Sequence, residues 1–183
     1  MSRAEALARR IRPWLVGTTV LDLGGGRGKV STALRQLGTQ PTVSDVLDRS
    51  EFEPYIHQDD PFTVPVASDS FDSVMLLYVL HHVLRSDQAK LLAEARRIAR
   101  SRLVIVEDVP RRWERTVTKL WDFVFNRPFG IPTPFSFRTE EEWMAELGAI
   151  EHVDVFRPFW PGFGMLRHSM IVLESRPTEV SDR

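Results

Sequence analysis

The chain has 183 residues, a formal net charge of -1 and no cysteine. At about 150 residues per domain, this length predicts a single domain over residues 1–183. The lack of cysteine excludes a disulfide scaffold, a thiolate metal site and a thiol nucleophile. The near-zero charge argues against nucleic acid as the main ligand. No run approaches the roughly 18 apolar residues of a membrane span, so we expect a cytoplasmic protein.

Helical and strand patterns alternate along the chain. Helices are predicted at 1–15, 29–37, 86–100 and 139–147. Runs rich in aliphatic and β-branched residues predict seven strands, at 18–23, 41–45, 55–57, 73–78, 103–106, 151–156 and 168–173. Ser86 is the predicted N-cap of the third helix, and Thr139 with Glu142 forms a capping box for the fourth. The alternation indicates an α/β domain with a parallel sheet.

Three segments depart from this alternation. Residues 110–138 are rich in Trp, Phe and Pro, and residues 157–164 form a second, turn-rich aromatic segment. Residues 175–183 are a polar tail. We interpret 110–138 as an insertion that covers a site, with part of its aromatic side chains packed into the core.

A glycine-rich loop after the first strand has three possible interpretations. A phosphate-binding P-loop fails because its glycine and hydroxyl positions hold Leu23 and Val30. A dinucleotide-binding motif fails at its third glycine, where the chain has Lys29. The pattern D-x-G-x-G-x-G is matched throughout, with its acid at Asp22 and glycines at positions 24, 26 and 28.

This loop, together with Thr42–Asp45, Val64–Val74 and Leu80–Val83, resembles the class I S-adenosylmethionine-dependent methyltransferases. The resemblance extends from about Val16 to Leu173. It implies a Rossmann-like, doubly wound, mostly parallel seven-stranded sheet with an antiparallel last strand. It also implies S-adenosylmethionine as cofactor and S-adenosylhomocysteine as product.

The resemblance assigns the cofactor site to residues at strand ends. These are Asp22, Gly24, Gly25, Gly26, Asp45, Val46, Asp59, Asp60 and Tyr78. Asp45 would bind the ribose diol, since one carboxylate can accept two hydrogen bonds. The glycines would let the backbone approach the methionine part of the cofactor. For the adenine amine, spacing selects Asp60, but Pro61 after it has no N–H. Asp59, followed by the amide of Asp60, is therefore slightly favoured.

Three histidines are candidates for a general base: His81, His82 and His168. A structural role is the alternative for each, and an in-line methyl transfer depends mainly on positioning and exclusion of water. Glu107 and Asp108 end the fifth strand and would either touch the substrate or cap a helix. No histidines and carboxylates share metal-ligand spacing, so no metal is expected.

The aromatic segments at 112–137 and 156–163 predict a small, apolar or aromatic acceptor, with no nucleic acid or membrane partner. Two alternatives stay open, namely an RNA or protein methyltransferase and a non-catalytic cofactor-binding module. The acceptor, the methylated atom and the oligomeric state do not follow from the sequence.

Overall fold

The structure is a computed structural model, and it describes residues 1–110, 116, 119, 123, 134, 136–147, 152–156 and 167–175. Most of the expected cover at 110–138, the aromatic segment 157–164 and the polar tail after residue 175 lie outside the described residues. No helix in the described residues is long and apolar enough to cross a membrane.

The described residues form one seven-stranded sheet with helices on both faces. Its strands are β1 (Thr19–Leu23), β2 (Gln40–Asp45), β3 (Tyr55–His57), β4 (Phe71–Leu77), β5 (Ala99–Asp108), β6 (His152–Phe156) and β7 (His168–Glu174). The helices are α1 (Arg3–Ile11), α2 (Lys29–Gln36), α3 (Gln88–Ile98) and α4 (Glu140–Leu147), with short 3-10 turns at Arg12–Trp14 and Leu80–His82.

The strand order is β3-β2-β1-β4-β5-β7-β6. Strands β1 to β5 pair in parallel, whereas β7 runs antiparallel to both β5 and β6. The predicted doubly wound, mostly parallel sheet with an antiparallel last strand is therefore confirmed. Because parallel strands end at the same edge, the carboxyl ends of β1 to β5 meet there, and the order reverses between β1 and β4. In such sheets this reversal point is where ligands bind.

Alternating side chains of the central strands divide the core into two clusters. On one face Leu21 and Leu76 pack with α3 and with Trp143 of α4. On the other face Val20 and Met75 pack with α1 and α2. This follows from strand geometry, since successive side chains point to opposite faces. Strands that are covered on both sides of a sheet are apolar, as the central parts of β4 (74–77) and β5 (103–106) are.

The helix ends test two predictions. The capping box of α4 is confirmed, because the Glu142 amide donates to Thr139 Oγ1 at 3.3 Å and the Thr139 amide donates to Glu142 Oε2 at 2.7 Å. The predicted N-cap at Ser86 is wrong. The amides of Asp87 and Gln88 both donate to the Leu84 carbonyl, which forms a separate turn before α3 begins at Gln88.

Candidate functional site

A cleft of about 650 Å³ opens at the carboxyl ends of β1 to β4. Four loops form its walls. They contribute Gly24–Gly26 after β1, Asp45–Leu47 and Arg49 after β2, His57–Asp59 after β3, and Tyr78, Val79 and His82–Leu84 after β4. This volume and position are typical of a small-molecule site at the reversal point of an α/β sheet.

The glycine loop presents backbone to the cleft. The Gly24 amide donates to the Ser44 carbonyl at 2.7 Å, which ties the loop to β2. Gly26 has a φ of 53°, and apart from its two chain neighbours no described residue has an atom within 4 Å of a Cβ added there. A Cβ on Gly25 would instead lie 2.6 Å from Cγ of Asp22. The loop therefore packs tightly on its inner side and leaves open space on the side of the cleft at Gly26.

Asp22 lies buried beneath this loop. Ser31 Oγ donates to Asp22 Oδ2 at 2.6 Å, and within the described residues Oδ1 has no hydrogen-bond partner. Burial raises the pKa of Asp22 to about 7, and the negative charge of Asp45 adds to the rise, while the Ser31 hydrogen bond opposes it. A positive charge in the cleft would stabilise the ionised form of this carboxyl group.

Asp45 ends β2 with its side chain turned toward the glycine loop. Its Oδ2 accepts the Gly26 amide at 2.8 Å, and its Oδ1 accepts the Leu47 amide at 2.9 Å. Each carboxylate oxygen has room for a second donor, so the group can still accept hydrogen bonds from a diol. Val46, the next residue, also lies on the cleft wall and is 39% exposed.

The two candidates for the adenine acid lie in different places. Asp59 lies on the cleft wall with a fully exposed side chain. Asp60 accepts the Phe62 amide at 3.1 Å and Thr63 Oγ1 at 2.8 Å, and it is not among the residues that line the cleft. The structure thus places Asp59 beside the cleft and uses Asp60 to shape the turn that follows β3.

Tyr78, directly after β4, has a φ of 60°, which is unusual for a residue with a side chain. Its amide donates to the Val106 carbonyl at 2.7 Å. Its ring lies edge-on to His168, with centroids 5.1 Å apart, and the Arg3 guanidinium stands 5.2 Å from the ring centroid. Burial raises the pKa of the Tyr78 hydroxyl, and the charge of Asp108 acts in the same direction, so the group stays protonated.

The three candidate histidines have different surroundings. His82 lies on the cleft wall. His81 is buried, with Nδ1 2.6 Å from Glu107 Oε2 and its ring stacked on Phe137. His168 is buried, and its Nδ1 lies 2.5 Å from Asp108 Oδ1.

Burial alone would raise the pKa of Asp108, but the hydrogen bond with His168 holds it below its ordinary value. Glu107 and Asp108 therefore serve as partners of His81 and His168. Among the described residues, no group of three or more histidines and carboxylates is arranged to hold a metal ion.

Sequence reasoning missed several residues of the cleft. Arg49 and His57 lie on its wall, as do Phe62 and the exposed side chain of Leu84. Arg49 follows β2, and His57 is the last residue of β3. Both could have been predicted, because each lies near the carboxyl end of a predicted strand. Phe62 and Leu84 lie in irregular loops, where periodicity gives no such indication.

The residues present fit S-adenosylmethionine. The cofactor is a nucleoside with a sulfonium and an ammonium group, so it needs acceptors for a diol and an amine and an environment favourable to cations. The cleft supplies the buried carboxylate of Asp45 and the exposed carboxylate of Asp59. Asp22 lies buried beneath the glycine loop, and a cation in the cleft would lower its raised pKa. The open side of the loop at Gly26 supplies space for a ligand.

Comparisons with known proteins agree with this fold. The methyltransferase domain family matches residues 3–149. No curated protein sequence matches the chain. Among solved structures, magnesium protoporphyrin IX methyltransferase from Synechocystis PCC 6803, with bound S-adenosylhomocysteine, has a TM-score of 0.63 and 19% identity over 94% of this chain and 83% of that one.

Two further structures have the same fold. A Streptomyces coelicolor geranyl diphosphate C-methyltransferase, in complex with Mg²⁺, geranyl diphosphate and S-adenosylhomocysteine, has a TM-score of 0.65 and 13% identity over 93% of this chain and 77% of that one. A complex of the Haloferax volcanii Trm112 methyltransferase activator with a candidate methyltransferase has a TM-score of 0.68 and 16% identity, covering 96% and 89% of the two chains. The chain therefore belongs to the methyltransferase domain family and is a class I S-adenosylmethionine-dependent methyltransferase.

Proposed function

We propose that this enzyme methylates a small, apolar or aromatic acceptor, with S-adenosylmethionine bound along the cleft at the carboxyl ends of β1 to β4. The observation that carries the proposal is the cleft itself, in which the backbone of Gly24–Gly26 faces open space beside the buried carboxylate of Asp45. Those features suit a ligand that combines a diol with a positively charged amino-acid part.

Each end of the cofactor has residues to hold it. Asp45 accepts the ribose hydroxyls, and Asp59 accepts the adenine amine. Gly24 and Gly26 let the backbone approach the methionine part, where Asp22 supplies a balancing negative charge. The backbone of Tyr78, held in its unusual conformation by the bond to Val106, completes that end of the site.

The apolar character of the cleft supports an apolar acceptor. Phe62, Val83 and Leu84 lie on its wall, and Leu84 is 59% exposed, an exposure that a bound apolar ligand would reduce. The aromatic residues of segments 110–138 and 157–164 add to this argument through the sequence alone. A porphyrin methyltransferase and a geranyl diphosphate methyltransferase share the fold, and both of their named acceptors carry large apolar parts.

When bound, the cofactor supplies an electrophilic methyl group. The part of the protein is to align the acceptor, exclude water and accept a proton where the nucleophile is a hydroxyl or an amine. His82 is the candidate base that lies on the cleft wall. His81 and His168 are buried against Glu107 and Asp108, so we assign them to holding the walls of the site.

Titration calorimetry with S-adenosylmethionine and S-adenosylhomocysteine tests the cofactor site. Asp45→Ala should weaken binding by roughly 1–3 kcal/mol, because it removes a charged acceptor from a buried diol. The matched control is Asp48→Ala, an exposed acid three residues along the chain, which should leave affinity within about twofold. Equal affinities of wild type and Asp45→Ala would contradict the assignment of the ribose site.

The acceptor is tested separately, with a panel of candidates in two groups. Apolar and aromatic hydroxyl or amine compounds should be methylated, with product detected by mass spectrometry. Turnover restricted to charged, hydrophilic acceptors would overturn the acceptor class and leave the cofactor site intact.

A further inference from the structure

One wall of the cofactor cleft is held by a buried hydrogen-bond network. This wall is the 3-10 turn Leu80–His82, which continues into Val83. The Leu80 amide donates to Glu107 Oε1 at 2.6 Å, and His81 pairs with the other oxygen of Glu107. Glu107 is fully buried, and a buried carboxylate is stable only when it is well paired. The turn is therefore fixed from the side of β5.

Gln88, the first residue of α3, fixes the same turn from the other side. Its Nε2 donates to the Leu80 carbonyl at 2.8 Å and to the Ser136 carbonyl at 3.3 Å. Its Oε1 accepts Arg138 Nε at 2.8 Å. Gln88 is fully buried, yet both its oxygen and its nitrogen are bonded, and satisfied buried polar networks favour one arrangement of the groups they join.

The network reaches residues 136–138, at the end of the predicted insertion 110–138. The Ser136 amide donates to the His81 carbonyl at 3.4 Å, and the Phe137 ring stacks on the His81 ring with centroids 4.9 Å apart. Arg138 is 7% exposed and pairs with Glu146 of α4 at 3.0 Å. Residues 136–138 are thus attached both to the cleft wall and to α4.

We propose that Gln88 is a positioning residue that couples the cleft wall at residues 80–83 to the chain at residues 136–138. Cofactor that orders the wall then strengthens the attachment of residues 136–138, and firm attachment of these residues strengthens cofactor binding. The two effects are equal in size, because coupling between binding sites is reciprocal. This inference rests on the proposed function in taking the cleft as the cofactor site.

The first test measures the affinity of S-adenosylhomocysteine by calorimetry. Gln88→Met removes all three bonds while keeping the length of the side chain. Gln88→Glu keeps an acceptor for Arg138 but loses the donor to Leu80 and Ser136. Although Gln88 does not line the cleft, both variants should weaken binding roughly 3- to 10-fold.

The matched control is Leu92→Ala, one turn along α3. Leu92 is buried in the core and does not line the cleft, so the variant loses stability while its folded fraction should bind S-adenosylhomocysteine within about twofold of wild type. If Leu92→Ala weakens binding as much as Gln88→Met, the effect is general destabilisation and the proposal fails. Unchanged affinity in both Gln88 variants would also overturn it.

A second test uses hydrogen–deuterium exchange, which first compares the wild-type protein with and without S-adenosylhomocysteine. Saturating S-adenosylhomocysteine should slow exchange of the amides at 136–139 in the wild type and in Leu92→Ala, but not in Gln88→Met. Unchanged exchange at 136–139 in a wild-type protein that binds the ligand overturns the coupling alone. Failure of the wild type to bind at all would overturn the proposed cofactor site and the coupling with it.

Discussion

The hydroxyl of Ser31 donates a hydrogen bond of 2.6 Å to the carboxyl group of Asp22, and both side chains are buried beneath the glycine loop. This single hydrogen bond does not offset the loss of water around the Asp22 carboxyl group. The pKa of Asp22 is therefore raised to about 7. Asp22 therefore changes its charge near neutral pH, at a position next to the predicted methionine end of the cofactor.

The first prediction concerns stability and pH. The unfolded chain loses the Asp22 proton above about pH 4, whereas the folded protein keeps it until about pH 7. The folded state therefore binds more protons in this window, and stability falls as pH rises through it. Asp22→Asn cannot ionise and can still accept the Ser31 hydrogen bond. Its stability relative to wild type should rise by about 2–3 kcal/mol between about pH 5 and about pH 8.

Urea unfolding of both proteins across this range provides the measurement. The comparison of two proteins at each pH removes the effect of groups that titrate identically in both. A difference in unfolding free energy that stays constant with pH would show that Asp22 has an ordinary pKa in the folded protein.

The second prediction concerns protons released on binding. S-adenosylmethionine brings positive charge to the cleft, which favours the ionised form of Asp22. At about pH 6.5 binding should therefore release part of a proton from Asp22, and affinity should rise as pH increases from about 6 to about 8. Calorimetry in two buffers of different ionisation enthalpy measures this release.

Two controls identify Asp22 as the source of that proton. S-adenosylhomocysteine has no sulfonium charge, so it should release less. Asp22→Asn should release fewer protons on binding than the wild type, because its side chain has no proton to lose. Identical binding heats in both buffers for the wild type would contradict the prediction.

The third prediction compares two alanine substitutions in the glycine loop. Gly26→Ala places a Cβ at a φ of 53°, in space that the described part of the chain leaves open. It should cost about 1–2 kcal/mol of stability, since an L-residue is strained in this conformation. Its larger effect should be on S-adenosylhomocysteine affinity, which we expect to fall roughly tenfold or more because the methyl group stands where the ligand approaches.

Gly25→Ala should reduce stability more than it reduces affinity for S-adenosylhomocysteine. Its Cβ would lie 2.6 Å from Cγ of Asp22, so the loop or the carboxyl group must move, at a cost of about 1–3 kcal/mol. Thermal or urea unfolding and calorimetry on the two variants separate stability from affinity. Normal affinity in a folded Gly26→Ala protein would show that this side of the loop does not face the cofactor.

The order and type of the main elements could be predicted because they depend on local pattern. β3 has the predicted bounds, and the apolar runs of β4 and β5 indicated strands buried on both faces. The position of Asp45 at the end of β2 also followed, since the run before it is strand-like and the parallel strands share an edge. The N-cap of α3 was wrong because Leu84 forms an extra turn that a capping pattern does not reveal.

Pairings between distant residues could not be predicted. His81 meets Glu107 across 26 positions, and His168 meets Asp108 because β7 inserts next to β5. The local pattern predicted that each of these residues lies at a strand end or in a turn, but it did not predict which residue it pairs with. The sequence also could not show which of Asp59 and Asp60 faces the cleft. Asp60 is held in a turn by the hydroxyl of Thr63, and spacing along the chain does not reveal that hydrogen bond.

The last prediction separates these two acids. The Asp59 side chain is fully exposed at the cleft, so Asp59→Ala should change stability by less than about 0.5 kcal/mol. It should weaken S-adenosylhomocysteine binding by about 1–2 kcal/mol, because the adenine amine loses a charged acceptor. Asp60→Ala should behave in the opposite way, since it removes both hydrogen bonds of the turn at Phe62 and Thr63.

An inosine analogue of S-adenosylhomocysteine makes the comparison specific to the amine, because a carbonyl replaces the exocyclic amino group. The wild type and Asp60→Ala should both bind the analogue more weakly than the adenine compound, since the Asp59 carboxylate then faces an acceptor. In Asp59→Ala that preference should largely disappear. A preference that survives in Asp59→Ala and is lost in Asp60→Ala would instead place the adenine acid at Asp60, which would require the turn after β3 to open when the cofactor binds.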